Sequence, residues 1–183
     1  MRENFVDPST ITIKNYPEIV ARFCSDLPLI QHNAHMALGL ADEYFELEKA
    51  HQNSDIINQI EEAGDSFWYL ALLCLQNNIS FLNVINIGND SDMTPHEFES
   101  HSDTINWAKA KLAGYTKTFT NEQVFVFFAQ SAAYIISRCP DNVSIEEILR
   151  KNYMKLANRH GASFNPDNGQ SRNIEAERAI LEA

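Results

Sequence analysis

Positive charge is scarce in this chain: 14 Lys and Arg stand against 25 Asp and Glu in 183 residues, a formal net charge of −11. A surface that acidic suits neither a nucleic-acid backbone nor an anionic membrane, because both are held by basic patches. Cysteine is also scarce. Cys24, Cys74 and Cys139 are odd in number, widely spaced and set in apolar runs, which argues against a disulfide framework and for a reducing, cytoplasmic environment. No Cys-x-x-Cys pair occurs. No apolar stretch approaches the roughly 18 residues needed to span a bilayer, and MRENFVDPST lacks the basic-then-apolar order of a signal peptide. The chain also lacks a GxGxxG segment and a Gly-rich loop followed by Lys, which removes the common strand-loop-helix nucleotide folds. Nothing alternates convincingly with a period of two, so no strand is expected.

What is present is helical. With 44% hydrophobic and 21% charged residues, residues 1–183 fit one globular domain with a real core. After an irregular lead-in over residues 1–16, Ile30, Ala34, Ala37, Ala41 and Tyr44 recur at spacings of three and four, predicting a long amphipathic helix from about Pro28 to His51. Ser54 is the expected cap of a second helix over Ile56 to Gln76, and a short helix over Ser80 to Ile87 stops at Gly88. Thr94-Pro95-His96-Glu97, Thr120-Asn121-Glu122-Gln123 and Ser144-Ile145-Glu146-Glu147 read as three further helix starts, with ends at Gly114, Arg138 and Gly161. The tract VFVFFAQSAAYII is apolar nearly all round, which suits a helix at the centre of the core or half of a subunit interface. A polar tail closes on a short helix over Ile174 to Leu181. The pattern predicts an all-α bundle of five or six helices.

Chemistry concentrates in two acidic pairs, Glu43 with Glu46 and Glu62 with Asp65, on consecutive helices. Residues three apart share a helix face, so each helix presents two carboxylates along one edge. Met36, Leu40, Phe45 and Leu47 flank the first pair, and Phe67, Trp68, Leu70 and Leu72 the second, which places the acids at the margin of a core. Two like charges about 5–6 Å apart repel by about 3 kcal/mol at an effective dielectric near 20. Four such acids call for a cation, and clustered carboxylate oxygens suit Mg2+, Mn2+ or Ca2+ better than zinc. Neutral isosteres at any of the four are therefore expected to leave metal-free stability equal or higher. A ferritin-like di-metal centre needs Glu-x-x-His on two helices, whereas the second position of each pair here is Glu46 or Asp65. His32 and His35 share a face but have no further ligand at metal spacing, and Trp68 and Trp107 read as core. Asn152, Lys155 and Arg159 share one face of a late helix; they either complement its C-terminus or form a cationic strip for phosphate oxygens.

GLADEYFEL, then EEAGDSFWYLALL, and later NYMKLANRHG together resemble the MazG-like nucleoside triphosphate pyrophosphohydrolases of the all-α NTP pyrophosphatase superfamily. The family pattern, Glu-x-x-Glu, Glu-x-x-Asp and an Asn-x-x-Lys-Leu-x-x-Arg tract, is filled by Glu43, Glu46, Glu62, Asp65, Asn152, Lys155, Leu156 and Arg159. The resemblance covers roughly residues 34–85 and 143–161 and implies a four-helix core with a two-helix insertion over about 87–142 and a flexible tail over about 162–183. It implies that Glu43, Glu46, Glu62 and Asp65 hold Mg2+, with Mn2+ as substitute. Asn152, Lys155 and Arg159 would then face the substrate phosphates. The reaction implied is hydrolysis of a nucleoside triphosphate at the α–β bond to the monophosphate and pyrophosphate, by a homodimer or tetramer. Two alternatives stand beside it: hydrolysis of a phosphoribosyl nucleotide, and a non-catalytic helical interaction module.

Overall fold

The computed structural model describes residues 5–90, 99–113, 119–161, 163–165 and 173–183. All regular structure among them is helical. The α-helices are α1 (Tyr16–Val20), α2 (Leu29–Gln52), α3 (Ile56–Gln76), α4 (Phe81–Gly88), α5 (Glu99–Leu112), α6 (Asn121–Arg138), α7 (Ile145–His160) and α8 (Ile174–Glu182). These eight exceed the five or six expected from sequence. The surplus is short: α1, α4 and α8 have five, eight and nine residues.

α2 and α3 form an antiparallel hairpin. Its open end is tied by Asn77, whose Nδ2 donates to Asn33 Oδ1 at 3.0 Å. At its closed end Ser54 takes φ +54°, so it is the bend and not the cap. Asp55 caps α3 instead, accepting from the Asn58 amide at 3.3 Å. The other capping residues act as their sequence suggests. Thr120 and Gln123 form a reciprocal capping box on α6, and Ser144 accepts from the Glu147 amide at the start of α7. Gly161 follows α7 with φ +75°. The expected start at Thr94-Pro95 and end at Gly114 lie outside the described residues.

α3 is the hub, packing against α1, α2, α4, α6, α7 and α8. Phe67, Leu70, Ala71, Leu72, Leu73 and Cys74 are fully buried, which explains why its apolar residues run nearly round the helix. Helix α6 is central as well, touching α2, α3, α4 and α5. It lies close against α4, where a Cβ on Gly88 would lie 2.8 Å from the Ala133 amide nitrogen and 3.0 Å from the Ala129 carbonyl oxygen. Residues 99–112 and 121–138, read from sequence as an insertion, thus build the core. Trp107 is 1% exposed and meets Phe128 edge-on at 5.5 Å. Phe128 serves the interior of the chain, whereas Val126 on the same helix is 43% exposed, and Leu38 and Phe45 on α2 and Leu112 on α5 are each more than half exposed. Ile30 is also half exposed, so the buried face of α2 runs through Ala37, Leu40, Ala41, Tyr44 and Leu47. No helix among the described residues is long and apolar enough to cross a membrane.

Candidate metal centre

The α2–α3 hairpin brings Glu43, Glu62 and Asp65 together, with one carboxylate oxygen from each lying within 4.8 Å of the others. All three are partly buried. Glu46, one turn beyond Glu43, is exposed. It stands on the rim, lining a polar cleft of about 250 Å3 together with Lys49, Asn53, Asn58 and Glu62. Phe45 between the two glutamates is 70% exposed, so the core margin lies one step nearer Glu43 than the apolar flanks suggest.

The acids of the cluster are not equivalent. Burial pushes Glu43 up to about 9, helped by the charges of Asp65 and Glu62, and its protonated carboxyl donates to Glu62. Burial also pushes Glu62 up to about 7, with the charges of Asp65 and Glu61 adding to it. Asp65 has partners instead. Lys155 Nζ donates to its Oδ2 at 2.5 Å and Asn152 Nδ2 to its Oδ1 at 2.6 Å. Lys155 is fully buried and also reaches Glu61 at 3.3 Å. Burial alone would lower the Lys155 ammonium, but Asp65 and Glu61 outweigh it and hold it above its ordinary value. Among the described residues Lys155 is the one fully buried cation. It neutralises Asp65 and leaves Glu43 and Glu62 without a basic partner of their own among the described residues.

The late basic tract divides in two. Asn152 and Lys155 grip Asp65, whereas Arg159 turns to α8 and makes a two-pronged pair with Glu177 at 2.9 and 2.8 Å. Glu177 is 2% exposed, so α8, the end of the expected tail, is locked onto α7. Glu177 carries no sequence signal. Glu61 does: it lies four residues before Asp65, hence on the same face as that acid. Tyr16, within the expected lead-in, is fully buried and donates through Oη to Asn152 Oδ1 at 2.7 Å. Burial, and then the charge of Asp65, raises this phenol well above its ordinary range, so it stays a donor. Tyr69 stands beside the cluster, its phenol likewise raised by burial and then by Glu43 and Asp65.

One Glu-x-x-His spacing does exist in the chain, Glu48 to His51. Glu48 is bound elsewhere, accepting from Arg138 Nε and Tyr134 Oη, each at 2.8 Å. His32 is 3% exposed and His35 lies edge-on to Tyr69 at 6.3 Å; neither belongs to the carboxylate cluster found among the described residues. The donor set of that cluster, three convergent carboxylates with no thiolate or imidazole, fits a hard divalent cation. No family model, curated protein or solved structure matches the chain.

Proposed function

We propose that the chain is a Mg2+-dependent pyrophosphohydrolase of the MazG-like kind, acting on a nucleoside triphosphate or deoxynucleoside triphosphate at the α–β bond. The observation that carries this reading is the convergence of Glu43, Glu62 and Asp65 from two consecutive helices, beside a cleft that Lys49 and two asparagines line. Glu43, Glu62 and Asp65 would hold the ion, with Glu46 at the rim. Bound there, a divalent cation neutralises phosphate charge and acidifies a water molecule.

The chain's own groups divide the remaining work. Lys155 and Asn152 fix the Asp65 carboxylate, so they act through that acid and not on phosphate. Glu62, which belongs to the cluster and also lines the cleft, is placed to accept a proton from an attacking water. Lys49 and Asn58, along the cleft, offer donors to the leaving pyrophosphate oxygens. Arg159 is committed to Glu177, so its role in this reading is to hold α8 in place.

The test is a panel of nucleoside triphosphates with Mg2+, scored for product. Monophosphate and pyrophosphate are expected, with Mn2+ as a working substitute and activity lost in chelator. Orthophosphate with a diphosphate as first products, or undiminished turnover in excess EDTA, would overturn the reading. We propose as well that two copies meet through the open apolar face of Leu38, Phe45 and Leu112.

A further inference from the structure

We propose that Tyr16 is a positioning residue for the carboxylate site: through Asn152 it fixes the orientation of Asp65. The inference rests on the reading of Glu43, Glu62 and Asp65 as a cation site. Tyr16 lies outside both stretches on which the family resemblance stands, and Asn152 is 136 residues away from it. The two meet because α1 packs on α3 beside the site.

The geometry sets a single polarity along a three-residue chain. The Tyr16 phenol donates to Asn152 Oδ1 at 2.7 Å, which leaves the amide NH2 to point the other way, and Nδ2 donates to Asp65 Oδ1 at 2.6 Å. A flipped amide would set Oδ1 against a carboxylate and lose both bonds in their present sense. Lys155 takes the other oxygen of Asp65. With one donor on each oxygen, the plane of the carboxylate is fixed and its remaining lone pairs are left for the centre of the cluster. Gly64 makes room for the arrangement, since a Cβ there would lie 3.0 Å from Asn152 Cβ and 3.2 Å from Nδ2. Tyr16 and Asn152 are 0% and 2% exposed, so water offers neither an alternative partner. A position that needed only an aromatic filler would hold Phe, which avoids the cost of desolvating a hydroxyl. Groups that orient a metal ligand in this way commonly change affinity by about 10–100-fold.

The experiment compares Tyr16→Phe with the parent by Mn2+ titration followed by electron paramagnetic resonance, and by NMR of the Asn152 side-chain amide in the metal-free protein. Tyr16→Phe removes one oxygen and keeps the ring. Its Mn2+ affinity is expected to fall about tenfold, the lower end of the range such groups show, and the Asn152 amide signals to shift. Asn152→Ala, which removes the middle link, is expected to cost at least as much, and adding Tyr16→Phe to it should cost nothing further. Phe81→Leu loosens the packing of the Tyr16 ring, whose centroid lies 6.2 Å from that of Phe81, without touching the hydrogen bonds. It should lower the melting temperature and leave Mn2+ affinity alone. Equal Mn2+ affinity in parent and Tyr16→Phe, additive losses in the double variant, or an equal loss in Phe81→Leu would overturn the inference and leave the site reading standing. A parent that takes up no Mn2+ would overturn the site reading, and this inference with it.

Discussion

The three acids of the cluster fall into two opposite electrostatic circumstances. Asp65 is the partner of a fully buried ammonium, while Glu43 and Glu62 face other acids. Glu43→Gln and Glu62→Gln are therefore expected to raise or preserve the metal-free melting temperature at pH 8, because a neutral amide needs neither the proton that folding imposes on Glu43 nor a half-buried charge at Glu62. Asp65→Asn should lower it by an amount equivalent to about 3 kcal/mol, because it leaves Lys155 buried with only the longer contact to Glu61. This corrects the expectation from sequence that all four isosteres would be neutral or stabilising: the pattern of acids was legible, but the buried lysine that singles out one of them was not. Parallel thermal melts in chelator decide the matter, and a stabilised Asp65→Asn would contradict it. The pH dependence follows from the same groups. Glu43 and Glu62 are raised in the folded chain to about 9 and about 7, against 4.5 ordinarily, so folding takes up protons between those values. Metal-free stability should accordingly fall as pH rises from about 4.5 towards about 9. Glu48 acts in the reverse sense. Arg138 and Tyr134 help hold it at about 2, so its contribution is present above the ordinary range and fades as pH drops below it. Melting temperatures in chelator should thus peak in mildly acidic buffer and decline towards pH 9, with a shallower decline in Mg2+, which replaces the protons. A flat or rising profile from pH 5.5 to 9 would refute this.

Helix ends were the elements most open to reading, because a cap is a local bargain between one side chain and one amide. Thr120, Ser144 and Gly161 stand where the sequence put them. Ser54 failed as a cap since the three-residue link between α2 and α3 needs a left-handed residue there, and Asp55 reaches the amide just as well. Gly88 was readable as a stop but not as a contact. Its lack of a side chain lets α4 settle on α6, with backbone atoms of α6 at 2.8 and 3.0 Å from where a Cβ would sit. Backbone cannot step aside as a flexible side chain can. Gly88→Ala should therefore cost about 1–3 kcal/mol despite its better helix propensity, measured by denaturant titration. An unchanged midpoint would show that α4 and α6 are less closely seated.

For the whole molecule, the paired acids announced the hairpin and its cluster, and the periodicity announced an all-α chain. The partition of Asn152, Lys155 and Arg159 between two different acids could not be read, because it depends on where α8 docks. Nor could the exposure of Leu38, Phe45 and Leu112, since VFVFFAQSAAYII is the most apolar tract, and within it Phe128 lies wholly inside while Val126 is 43% exposed. Self-association through Leu38, Phe45 and Leu112 sets apolar burial against the repulsion of two bodies of charge −11. Light scattering should find a dimer that strengthens between about 0.01 M and about 0.15 M ionic strength, as the screening length contracts from about 30 to about 8 Å. A monomer at both salts would refute that proposal. Lys155, finally, is sealed between α3 and α7. An acylating reagent that marks surface lysines at once can reach this one only when those two helices part. The slow rise of its label in a mass spectrum is thus a clock for the breathing of the interface, and any ligand that clamps the cluster should slow it.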